Sequence, residues 1–180
     1  MAKPSGIVWN EAAGPAANAR RQLPGLTAEF FAEVRAALGA RPSPEQLHRV
    51  RLAAKRIRYT LELFRPCYGP GLEARIESLR NLQQVLGEIN DCAATRRILA
   101  NDMPVSAQRT KVDRFLSSRL RKKTAELRKL WAERFDAPGR DLLWMRYLAR
   151  NARTPRPRKT AVVPAPGISA SRPRSERQAS

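Results

Sequence analysis

The 180-residue chain is short of acids, aromatics, histidine and cysteine, and each shortage closes off a class of function. Asp and Glu number 16 against 35 Lys and Arg, which gives a formal net charge of +19 with the single His neutral. Such a chain seeks anions. Cys67 and Cys92 have no second Cys or His close in sequence, which excludes a zinc ribbon, a CxxC redox pair and a disulfide framework. Aromatics make up only 6 %, too few for the base-stacking platforms of single-strand-binding proteins. No stretch approaches the roughly 18 uninterrupted apolar residues of a membrane helix, so no membrane partner is expected. The N-terminal residues lack an apolar run followed by a small-residue cleavage site, and the cytoplasm is the expected compartment. Neither β-branched alternation nor a 20 to 50 residue repeat is visible.

What remains is helical periodicity. Residues 1–25 are rich in Ala, Gly and Pro without a sustained period, and Pro24-Gly25 is a strong breaker, so a flexible arm is expected there. Leu26, Phe30, Phe31, Val34 and Leu38 form one stripe of a short first helix. Ser43 suits the N-cap of a second, with Pro44 at its first position, Glu45 against the positive dipole end and Gln46 completing a capping box. Leu72, Ile76, Leu79, Leu82, Leu86 and Ile89 mark a third helix extending toward Ala100, with Gly87 a potential weak point. Ser106 offers a cap to a fourth, carried by apolar residues from Val112 to Trp131, and residues 141–150 form a terminal helix apolar on most sides. The expected fold is all-α: a single up-and-down four-helix bundle over residues 26–150 with a short extra C-terminal helix. Residues 151–180, Pro- and Arg-rich with no core material, read as a disordered basic tail.

The folded part is itself basic, with 23 Lys and Arg against 12 Asp and Glu between Ser43 and Arg150. On the second helix Arg51, Lys55 and Arg58 fall within about 80° of His48 around the axis. Val50, Ala54, Ile57, Leu61 and Phe64 occupy the opposite, core-directed face. Leu52, Tyr59 and Leu63 make a smaller apolar stripe beside the cations, expected to pack and hold their stems, while Arg49 and Arg56 lie beyond it. From His48 to Arg58 the row spans roughly 15 Å, which suits an extended polyanion. Arg51 and Arg58 can take phosphate oxygens bidentately, Lys55 acts as a compact charge, and His48 is expected to donate in either protonation state. With only Glu62 on the same line, mutual repulsion is more easily understood with an anion present. The fourth helix adds Arg119, Lys122 and Lys129 as a second stripe, and the third offers Arg75 and Arg80, with Asp91 expected to orient a basic side chain.

These residues resemble the CHAD domain family, the histidine-bearing α-helical domains. The resemblance is carried by Leu47-His48-Arg49-Val50-Arg51-Leu52-Ala53-Ala54-Lys55-Arg56-Ile57-Arg58-Tyr59-Thr60-Leu61-Glu62, by Leu79 and Leu82, and by Leu86-Gly87-Glu88-Ile89-Asn90-Asp91. It covers roughly residues 26–150 and is strongest over 47–99. It implies a helical unit whose basic surface binds inorganic polyphosphate without catalysis or cofactor, often in proteins collected on polyphosphate granules. It places the binding groups on His48, Arg51, Lys55, Arg56 and Arg58. The family usually carries two such bundles in tandem; this chain is similar to the C-terminal one alone, and a homodimer is expected to supply the missing half.

Other readings fit less well. A histidine phosphotransfer domain wants a small residue close behind its His, where this chain has Leu52. A core histidine would share the face of Val50 and Ile57, not that of Arg51. A phosphate-chain hydrolase would cluster carboxylates to hold Mg²⁺, and the second helix offers only Glu45 and Glu62, far apart around the axis. Non-specific RNA or DNA binding, helped by the tail, is the serious alternative, although no helix-turn-helix, RRM, KH or zinc signature is present.

Overall fold

The computed structural model describes residues 8–39 and 41–154. Among them the chain is all-α, with five helices and no strands. The first, α1, covers Pro15–Leu38, so residues 15–25 belong to a helix where a loose arm was expected, and Pro24 lies inside it. An interior proline costs a helix about 3 kcal/mol. Burial offsets it here, because Ala16, Ala19 and Leu23 face the core. The helix start is also knotted: buried Asn18 donates its amide to the carbonyls of Asn10 (2.9 Å) and Ala13 (2.8 Å) and accepts the Asn10 N–H at 2.9 Å.

The second helix, α2, runs Pro44–Leu63 behind the expected capping box: the Ser43 hydroxyl accepts from Gln46 N at 3.2 Å and the Gln46 side chain accepts from Ser43 N at 2.7 Å. A 3-10 turn at Arg65–Cys67 leads to α3, Pro70–Asp102, which continues unbroken through Gly87. Ser106 caps α4, Ala107–Arg134, accepting from Arg109 N at 3.1 Å. Gly139, at φ 72°, supplies the left-handed turn into α5, Arg140–Arg150. α2 packs on α1 and α3, α3 on α4, and α1 on α5.

A cluster of large rings locks the far ends of this arrangement together. Phe30 and Phe31 of α1 meet Trp131 of α4, Phe135 and Trp144 of α5; Trp131 and Phe135 stack at 5.0 Å, and Phe31 meets Trp144 edge-on at 5.8 Å. Arg35 closes its rim, donating to Asp136 at 2.6 Å and Asp141 at 2.8 Å. Across from it α3 and α5 touch through Gly71, where an added Cβ would sit 2.9 Å from the Tyr147 ring, so only glycine allows the approach. Arg75 lies over that ring at 3.7 Å. The start of the expected tail is docked too: Ala152 is buried, and Arg153 N donates to Cys67 O at 2.7 Å. Residues 155–180, the remainder of that tail, lie outside the described residues. Among the described residues no helix is long and apolar enough to cross a membrane.

Phe135→Ala should lower unfolding free energy by about 3–5 kcal/mol, because a fully buried ring leaves a cavity shared by three helices. Urea denaturation followed by helical circular dichroism checks this; a loss below about 1 kcal/mol would mean the rings are not the clamp. Arg35 also holds the Asp141 carboxyl below its ordinary value, first through their hydrogen bond. The stability from that pairing is present above the ordinary Asp value of about 3.9 and is lost as pH falls through the depressed one. Arg35→Leu should therefore flatten the acid limb of the stability profile.

Candidate functional site

The basic row of α2 lies along its seam with α3, and two amides of α3 fix it. Gln83 donates its Nε2–H to Ala54 O at 2.7 Å, and its Oε1 accepts the Arg58 Nε–H at 2.9 Å. One side chain thereby holds both the backbone of α2 and the orientation of a guanidinium. Two turns further along α3, Asn90 Oδ1 accepts from His48 Nδ1 at 3.0 Å. That contact fixes the orientation of the ring and leaves Nε2 as the nitrogen turned away from Asn90.

The four cations are not equivalent. Arg58 is largely spoken for: its Nη1 pairs with Glu62 at 2.7 Å and its guanidinium lies 4.3 Å from the Tyr59 ring centroid. Glu62 also takes Arg80 at 3.1 Å, and Arg80 reaches Glu73 and Glu77, both at 3.2 Å. Arg51 and Lys55, half-buried and one turn apart, carry no carboxylate partner among the described residues. They are the free charges of the row. Arg56 points away from it, toward Glu33 of α1 at 3.9 Å. The stripe of Leu52, Tyr59 and Leu63, expected to pack, is instead open to solvent at 49, 53 and 67 % exposure.

The cations of α4 sit on a different seam. Glu88 of α3 takes Arg119 at 3.3 Å and Lys123 at 3.0 Å, and Arg96 pairs with Asp113 at 2.8 Å. Glu88 is five residues beyond Gln83, about 140° around α3, so α2 and α4 meet α3 on separate sides with the exposed Gln84 and Asp91 between. The site is a broad face crossed by a ridge, not one cleft between α2 and α4. Lys122 is exposed, and Lys129 is 77 % exposed beside Glu133 at 3.9 Å, so neither is held against α3. Lys123, which the sequence did not single out, shares Glu88 of α3 with Arg119.

Three further residues take other roles. Arg75, a candidate from sequence, is structural: it lies between α3 and α5, donates to Gly71 O at 2.9 Å, and burial pushes its pKa down. Asp91 carries no ion pair among the described residues; one residue back, Asn90 is the group that turns toward α2. A cavity of about 390 Å³ near the start of α3 is lined by Cys67, Tyr68, Gly71, Tyr147, Asn151 and Arg153, and by none of the expected binding cations. Burial pushes the Cys67 thiol up, away from the reactive thiolate.

With the geometry in place, the comparison with known families decides the relationship. The family model of the CHAD domain matches residues 3–100, more than half the chain. The chain belongs to the CHAD domain family. The CHAD match takes in α1, α2 and nearly all of α3, and therefore His48, Arg51, Lys55, Arg58, Gln83 and Asn90; α4 and α5 lie beyond it. No curated protein matches the chain, and no solved structure does.

Glu62→Gln should leave the fold intact, remove the only carboxylate paired with Arg58 among the described residues, and leave Arg80 with Glu73 and Glu77. Elution from a heparin column should then shift to higher salt. Unchanged elution would show that the Arg58 guanidinium does not face a bound polyanion.

Proposed function

We propose that this CHAD domain binds inorganic polyphosphate on the α2 face, without catalysis, on a four-helix unit α1–α4 braced by α5. The observation that carries the reading is the unequal pairing of the α2 cations. Arg51 and Lys55 stand unneutralised next to Arg58 and His48, whose positions Gln83 and Asn90 fix from α3. Two like charges one turn apart repel by a few tenths of a kcal/mol, and an anion lying along the row removes that cost. All of these residues lie in the segment matched to the family. A chain of phosphates can run along the roughly 15 Å row, Arg51 taking two oxygens at once and Lys55 one.

Arg56 and the α4 groups Arg119, Lys122 and Lys129 belong to this reading as outer contacts, reached by a chain that crosses the α3 ridge. A homodimer that sets two such faces on one polyphosphate chain, and collection on polyphosphate granules in the cytoplasm, are the assembly and location the reading implies. Light scattering over a concentration series, with and without polyphosphate, tests the dimer; a monomer under both conditions removes it. Nucleic acid is a secondary polyanion, held by charge alone.

The combined Arg51→Ala, Lys55→Ala and Arg58→Ala variant should keep its helical circular dichroism and lose most affinity for polyphosphate. Its log affinity against log salt should flatten by about two units, roughly 0.7 for each of the three cations removed from a single-stranded polyanion. RNA at equal charge should compete poorly against the parent chain. Unchanged affinity and slope in the variant, or RNA competing as well as polyphosphate, would reduce the protein to a general polyanion binder.

A further inference from the structure

The outward strip of α2 is not only basic. Leu52, Tyr59 and Leu63 recur at intervals of seven and four residues, so they lie on one line about 16 Å long. All three are about half exposed or more. The other flanks of α2 are covered by α1 and α3, so this line is the uncovered crest of the helix. Tyr59 is held upright by the Arg58 guanidinium on one face of its ring.

Both borders of this apolar line are cationic. Arg51 and Lys55 form one border and Arg49 and Arg56 the other. The carboxylates nearby are already engaged, Glu62 by Arg58 and Arg80, Glu33 by Arg56, and Glu45 lies in the field of Arg49. A narrow apolar seam with heptad-like spacing and predominantly basic borders is half of a helix-on-helix contact. A polyanion alone leaves the apolar line uncovered. A second copy of the same face would bring cations against cations, in a chain of net charge +19. We propose that the α2 crest docks an amphipathic helix of a partner protein that carries apolar residues at a and d positions and Glu or Asp at the flanking e and g positions. Because Arg51 and Lys55 serve both ligands, polyphosphate and the partner helix exclude each other. The docking itself does not rest on polyphosphate being the ligand, and the two are measured separately.

The test uses the full chain and a fluorescent peptide of roughly three heptads, Leu at a and d and Glu at e and g, whose own glutamates keep it apart at neutral pH. A shuffled peptide of identical composition controls for charge. Fluorescence anisotropy should show the patterned peptide binding at least tenfold more tightly than the shuffled one. The Leu52→Ser, Leu63→Ser double variant should lose that tenfold advantage while its helical circular dichroism and urea unfolding transition stay those of the parent, which shows that the variant is folded. Added polyphosphate should displace the peptide. Equal binding of the shuffled peptide would overturn the proposal, as would retained advantage in the double variant. A parent chain that sediments as a dimer and becomes monomeric with Leu63→Ser would overturn it in favour of a second copy.

Discussion

The register of α2 on α3 is the constraint on which the rest depends, and Gln83 sets it. Its amide is satisfied at both ends, by the Ala54 carbonyl and the Arg58 Nε–H. A slip of α2 along α3 would break both bonds and leave a half-buried amide unpaired, at a cost of about 1–3 kcal/mol. That register puts His48 opposite Asn90 and leaves Arg51 and Lys55 between the two pinned positions, on a row whose ends cannot drift. The ring cluster of α1, α4 and α5 does the complementary work at the other end, holding α1 as the wall on which α2 rests. Side chains that must meet a ligand together are thus carried by helix backbones instead of loops, which keeps the ordering cost of binding low.

With so few carboxylates, their placement decides where charge remains free. Glu88 pairs with Arg119 and Lys123 on the α3 and α4 seam, where Glu126 also takes Lys123, Asp113 takes Arg96, and Asp136 with Asp141 takes Arg35. On α2 the one acid of the row sits at its end, where Glu62 serves Arg58 and Arg80 together. The centre is left uncompensated. Within the α2 row the unpaired charge therefore falls on Arg51 and Lys55, next to an apolar crest, and these two properties underlie the proposed inorganic polyanion and acidic-helix ligands.

Much of this was legible in the sequence. The capping box at Ser43, the cap at Ser106 and the apolar stripes of α2 and α3 are local signals, and the elements follow them within a few residues. Pro24 misled because propensity is outweighed by tertiary burial: the pattern of Ala16, Ala19 and Leu23 was present but sparse, and Asn18 as a buried knot has no local signature. The α2 row is visible on a helical wheel, and the CHAD motif falls on the same residues. What the wheel does not show is which partner each cation meets. Leu52, Tyr59 and Leu63 share an angle with residues that could pack, and only the positions of α1 and α3 leave them bare. In the same way the turn of 100° per residue gives Asn90, not Asp91, to His48, a distinction that needs the crossing of the two helices.

The most direct test of the central claim follows the arginine side-chain Nε–Hε resonances by NMR as short-chain polyphosphate is added to the full-length protein. The account predicts a large, saturable shift of Arg51 and a smaller one of Arg58, whose Nε–H is already bonded to Gln83, with Arg35 and Arg96 unmoved in their ion pairs. Shifts of similar size at Arg35 or Arg96, or none at Arg51, would contradict it.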